Sequence, residues 1–204
     1  MSQVKRTMEQ LSYGLEQPRD LLEKLKWEAD KLGESPHAYD VFNFIVTAAV
    51  LAEWIQRYYS SNAIMDPFAA PSKDRCSWLI PSESVHWISD TSCLPNRYLD
   101  IRYHIENALS ICSHIANASK HFHWNDRSSI TRIEEEPQVS DWYQYFFTST
   151  APDMYVEFKG DYYGLQQIKS ILLQFYSSLI KYLEDLESVQ QSNFNENPRM
   201  PDQQ

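Results

Sequence analysis

The feature that most restricts the fold is the stretch VFNFIVTAAVLAEWI, Val41 to Ile55, in which only Asn43, Thr47 and Glu53 are polar. A continuous membrane span needs roughly 20 apolar residues, and this run falls short of that. Its apolar positions surround the helix rather than forming one stripe, so the expectation is a helix at the centre of a bundle, covered by other helices. Ser35 and Pro36 in front of it read as an N-cap and a first helical position, and the helix is expected to run to about Tyr59.

Three further segments have the helical period needed to cover it. Leu21, Leu22, Leu25 and Ala29 place a first helix over about Pro18 to Leu32, with Gly-Glu-Ser after it as a stop. A third is expected from near Asn96 to near His121, with Ile101, Ile105, Ala108, Cys112 and Ile115 as its apolar stripe. Its opposite side carries Glu106, Asn107, Ser110, Ser113, His114, Asn117, Lys120 and His121. The last, about Leu165 to Leu186, aligns Ile168, Leu172, Phe175, Leu179, Tyr182 and Leu186. Before it the period changes to two, and ITRIEEE, WYQYFFTS and MYVEFKGDYYG read as three short strands, the last bent at Lys159-Gly160-Asp161. The expected fold class is therefore α+β, mostly α: a bundle of about four long helices with a small antiparallel β-segment before the last. Residues 1–188 form one domain in this reading, with an inserted loop at about 62–95 anchored by Trp78, Leu79, Ile80 and Trp87. Residues 189–204, rich in Gln, Asn and Pro, form a disordered tail.

Composition removes several function classes. Four glycines among 204 residues, with no GxGxxG or GxxxxGK[ST], leave no phosphate-cradling loop. A formal charge of −10 repels a phosphate backbone over most of the surface, so RNA is expected only at a local basic pocket. Acid-rich mimicry of nucleic acid is a distant option. The N-terminus has charges without a following apolar run, so no signal peptide and no membrane association are expected. Cys76, Cys93 and Cys112 cannot all pair within one chain, which fits a reduced, intracellular, cytoplasmic protein. With His86 these cysteines match no common zinc spacing, and neither metal nor cofactor is expected.

The polar side of the third helix carries the chemistry worth testing. His114, Asn117 and His121 stand at i, i+3 and i+7, Ser110 extends the row and Lys120 lies beside it. An imidazole near its working range, an oriented amide and a cation suffice for phosphodiester cleavage without a metal. The same residues also suit a solvated helix end, where Lys and His complement the dipole. On the second helix Asp40, Asn43 and Thr47 form a comparable row. If the two helices pack antiparallel, Asn43 and Thr47 face Asn117 or His121 in a buried clamp.

These residues resemble a group of uncharacterised bacterial proteins of about this length. Their pattern is an FNFxVTAxxLxxWI-like helix, then NGSKHF or NGAKHF ending a second helix, a short β-segment and a closing helix. The matching positions are Phe42, Asn43, Phe44, Val46, Thr47, Ala48, Leu51, Trp54 and Ile55, then Asn117, Ser119, Lys120, His121 and Phe122. The chain departs from the pattern at Ala118, where the family has Gly, and at Ser113, where it has Arg. The resemblance covers about Asp40 to Trp124 and implies architecture and a site location, with no activity attached.

A second likeness is to HEPN ribonucleases, helical bundles of toxin and phage-defence systems with Arg, four to six residues, then His on one helix. Arg97 and His104 have that spacing, with Tyr98 where a polar residue usually follows the Arg. In a family that cleaves as a dimer, two copies of the pair would build one site. The sequence thus supports a non-enzymatic binding or accessory protein of a bacterial phage-defence or mobile-element system, with another protein or a second copy as partner. The alternative is a metal-independent endoribonuclease whose candidate catalytic residues are His121, Lys120 and Asn117, or His104 with Arg97.

Overall fold

The computed structural model describes residues 14–33, 36–60, 84, 86–95, 99–121, 130–134 and 154–196. It is a mostly helical α+β fold: α1 (Pro18–Asp30), α2 (Ala38–Ser60), a 3-10 turn (Thr91–Cys93) and α3 (Ile101–His121), then β1 (Ile130–Glu134), β2 (Tyr155–Phe158), β3 (Asp161–Gly164) and α4 (Leu165–Glu196). Among the described residues, one hydrophobic core takes side chains from all four helices and from the β2–β3 hairpin.

Local chemistry sets the helix starts. Pro18 occupies the first turn of α1, where its missing N–H costs nothing. The Asp20 carboxylate accepts from the Glu16 and Gln17 N–H groups at 2.9 and 3.0 Å, satisfying two donors that the helix leaves open. α2 begins at Ala38 rather than at Pro36, because the His37 imidazole acts as the cap: its Nδ1 accepts from the Tyr39 N–H at 3.2 Å. Ser35, the expected cap, lies outside the described residues. α3 starts at Ile101, later than the period alone suggested, with Asp100 Oδ1 accepting from the Arg102 N–H at 3.1 Å.

α2 is long and apolar enough to cross a bilayer by length and composition. Its surroundings explain the composition, since Val41, Phe44, Ile45, Ala48, Leu51 and Ile55 are fully buried against α1, α3 and α4. Tyr176 on α4 donates its hydroxyl to the Ala48 carbonyl at 2.7 Å, a buried bond that sets the two helices in register.

The sheet has the order β1-β2-β3 with both pairs antiparallel. The segment read as one bent strand is a complete hairpin, β2 and β3 joined by Lys159-Gly160. Both turn residues have positive φ, 53° and 85°, the combination that matches the twist of a two-residue hairpin. WYQYFFTS lies outside the described residues. Val156, Phe158 and Tyr163 point into the core, while Tyr155 and Tyr162 lie on the solvent side. A side chain at Gly164 would meet the Tyr155 ring at 3.3 Å, so the crossing of hairpin and helix favours glycine there.

α4 follows β3 without a loop. Gln167 reaches back to accept from the Gly164 N–H at 2.8 Å, and the Leu165 N–H continues the ladder to the Met154 carbonyl at 2.9 Å. α4 then runs to Glu196, past the end at Leu186 that the stripe suggested and through the start of the expected tail. Nothing between Leu186 and Glu196 breaks a helix, and the first proline beyond is Pro198.

Candidate functional site

Of the residues singled out by motif, His104 has the best defined environment. It is fully buried, as is Asn107 one turn later, and both meet the buried phenol of Tyr163 on β3. Asn107 Nδ2 donates to Tyr163 Oη at 2.9 Å, and Oη lies 2.8 Å from His104 Nδ1. The arrangement closes when the phenol donates to Nδ1, since Oη already accepts from the amide. Burial pushes the Tyr163 phenol well above its ordinary range, and the bond from Asn107 pulls the other way. Among the described residues no donor meets Asn107 Oδ1.

This cluster joins α3 to the hairpin from inside the core. A fully enclosed imidazole bonded to a phenol cannot touch a polynucleotide, so a ribonuclease site built on His104 is incompatible with its placement. Arg97, its motif partner, lies outside the described residues. Asn107, expected on the polar side of α3, instead faces the core beside Ile105, Ala108, Leu109 and Ile111, because α3 is covered on a second side by the hairpin and α4.

The outward part of α3 keeps a polar row. Arg102 and Glu106 form an ion pair at 3.3 Å, Ser110 and Ser113 are half-buried, and Asn117 Nδ2 donates to Ser113 Oγ at a long 3.4 Å. His114 leaves this row and sets its ring edge-on to Phe158 at 6.0 Å, toward the sheet. Lys120 and His121 belong to the last turn of α3, and their side chains lie outside the described part of the structure.

The clamp expected between α2 and α3 forms elsewhere. Thr47 is buried, but its hydroxyl accepts from Lys24 Nζ at 2.6 Å, and Lys24 also pairs with the buried Glu28. Asn43 is exposed. The buried polar contact therefore ties α2 to α1, with Glu28 Oε2 meeting no described donor. Lys24, Glu28 and Tyr163 escaped the sequence reading. The available signal was Glu28 standing between Leu25 and Ala29 on the apolar side of α1, with Lys24 four residues before it.

The segment before α3 docks on α4. Gln174 Oε1 accepts from the Ser89 N–H, the Ser89 hydroxyl and the Asp90 N–H at 3.0, 3.2 and 3.1 Å. Trp87 packs its ring near Phe175 and Tyr182, which supports its expected role as an anchor. Trp78, Leu79, Ile80 and Cys76 lie outside the described residues. Cys112 is buried, and the half-buried Cys93 directs its thiol to the Asp90 carbonyl at 3.0 Å. Among the described residues no three His, Cys, Asp or Glu side chains converge as metal ligands.

No known family, no curated protein and no solved structure matches this chain.

Proposed function

We propose that the protein is a non-enzymatic binding or accessory component, and that the outward face of α3 leading to Asn117 meets its partner. One observation carries this reading: the described polar groups of α3 are divided between a sealed core and an outward row in which the Glu106 carboxylate is paired with Arg102. His104 is enclosed with Tyr163 and Asn107, whereas the outward row offers an ion pair, two hydroxyls and an amide. Hydroxyls and amides recognise by hydrogen bonding and are weak acids and bases near neutral pH. The partner in this proposal is another protein or a second copy. The bacterial setting, in defence against phage or in mobile elements, is what the resemblances of the Asp40–Trp124 motifs and of the Arg97–His104 spacing imply.

The test is incubation of the purified chain with total RNA, with and without EDTA. The expected result is intact RNA in both. Cleavage that survives EDTA and disappears in His121→Ala would overturn the proposal and put the chemistry at the end of α3.

A further inference from the structure

Among the described residues four aromatic side chains are exposed: Trp27, Tyr39, Tyr155 and Tyr162. Two of these rings are covered from within the chain. Lys31 Nζ lies 3.3 Å from the centre of the Trp27 ring, and the His37 imidazole stacks on Tyr39 at 4.8 Å. Lys159 likewise sits over Phe158 and Tyr103, at 5.2 and 5.9 Å. Tyr155 and Tyr162, 45% and 47% exposed, have no such cover among the described residues.

The two uncovered rings lie together. Side chains alternate along β2 and β3, so Val156, Phe158 and Tyr163 fill the core while Tyr155 and Tyr162 stand on the opposite face of the hairpin. Tyr155 is paired with Gly164 and Tyr162 with Glu157, which makes the tyrosines diagonal neighbours about 7–8 Å apart. A Cβ at Gly164 would come within 3.3 Å of the Tyr155 ring, so that ring lies along the glycine and shows its other side to solvent. One planar group can therefore touch both rings.

Charge decides which kind of planar group. With 28 Asp and Glu against 18 Lys and Arg, the chain carries a formal charge of −10, which repels a polynucleotide and attracts a cation. The electron-rich face of a tyrosine also favours a cation, and guanidinium is the cation that is flat, weakly hydrated and able to stack. Glu157 belongs to the same face. Its register partner on β1 is Arg132, so the rings rather than this carboxylate carry the recognition.

We propose that the outer face of the β2–β3 hairpin takes an arginine side chain of a partner protein against Tyr155 and Tyr162. This surface is separate from α3, which meets the hairpin from the other side through His114 and Phe158, and the inference does not rest on the role of the α3 face.

The test is binding of a fluorescent hexa-arginine peptide to the full-length chain, read by anisotropy, beside a hexalysine peptide and a single-stranded RNA oligonucleotide. The arginine peptide should bind, and more tightly than the lysine peptide, which lacks the plane. Tyr155→Ala/Tyr162→Ala should weaken it about fivefold or more, while Tyr155→Phe/Tyr162→Phe keeps both rings and should bind nearly as wild type does. If uncovering Gly164 lowers the stability of the double alanine variant, Tyr162→Ala is read alone, with a loss of about threefold. Equal affinity for wild type and the alanine variants would show that net charge alone attracts the peptide, and overturns the proposal. Absence of peptide binding does the same. Tighter binding of the oligonucleotide through the same tyrosines also overturns it, because the occupant would then be a base.

Discussion

Tyr163→Phe removes one oxygen atom from the core and leaves the ring's shape intact. In the wild type that oxygen accepts from Asn107 Nδ2 at 2.9 Å and meets His104 Nδ1 at 2.8 Å, with all three residues fully buried. The substitution therefore takes a partner from two buried polar atoms at once. Each such atom costs about 1–3 kcal/mol when water cannot reach it, so a loss of about 3 kcal/mol is expected. For a chain of this length that is a fall in Tm of about 6–12 °C. Urea unfolding at neutral pH should show the midpoint shifting with the slope unchanged, since the buried area is the same. The cause can be isolated. Replacing Asn107 with leucine on the Tyr163→Phe background should recover part of the loss, because the amide that the phenol met is then no longer buried without that partner. A Tyr163→Phe loss below about 0.5 kcal/mol, the range of an ordinary surface substitution, would refute the assignment of this cluster as a buried structural link.

Other consequences follow from the same contacts. Lys24→Met leaves the Glu28 carboxylate buried without its cation and should lower stability by about 2 kcal/mol, less than for a fully enclosed pair because Lys24 is partly exposed. Lys24→Met with Glu28→Leu should come close to wild type, both read by urea unfolding. Lys159→Asn relieves a side chain with a φ of 53° at the hairpin turn and should raise stability by about 0.5–1 kcal/mol in the same assay. Burial raises the phenols of Tyr59 and Tyr163 above their ordinary value of 10.0. The unfolded chain then loses protons first as pH rises, so stability is full below pH 10 and declines above it. The slope for the two phenols together is up to about 2.7 kcal/mol per pH unit. Tyr163→Phe should halve that slope in alkaline unfolding curves, and an unaltered slope would show that this phenol ionises as freely folded as unfolded.

The four helices were legible because their apolar residues recur at helical spacing, and that signal comes from burial itself. The sheet was legible in part. Lys159-Gly160 looked like a bend inside one strand because positive φ at a lysine leaves no trace in composition. The helix starts at His37 and Asp100 were missed because capping depends on a single side-chain geometry, which an imidazole can supply as well as a serine. The candidate site was legible least. A polar row on a helix looks the same whether it meets water or a neighbouring strand. Asn107 sits between the two sides of α3, and only the position of Tyr163, 56 residues later, decides that it is buried. Thr47 was correctly expected to need a buried partner. The lysine that meets it lies on α1, where nothing in the spacing of α2 and α3 pointed.

The end of α1 has a bearing on how the chain reaches this structure. The Leu32 and Gly33 carbonyls, which close the turn after the first helix, accept from Gln166 and Lys169 on the last one, 133 to 137 residues away. The opening of α1 is likewise fixed by Glu184. During synthesis the α1–α2 pair emerges early, with the contacts at both ends still missing, and completes them only when α4 leaves the ribosome. Contacts over such a separation carry a loop-closure cost that contacts within the α1–α2 pair do not. A ribosome stalled before residue 165 would carry a helical pair that is formed but easily opened, and release of the final segment would commit the whole chain at once.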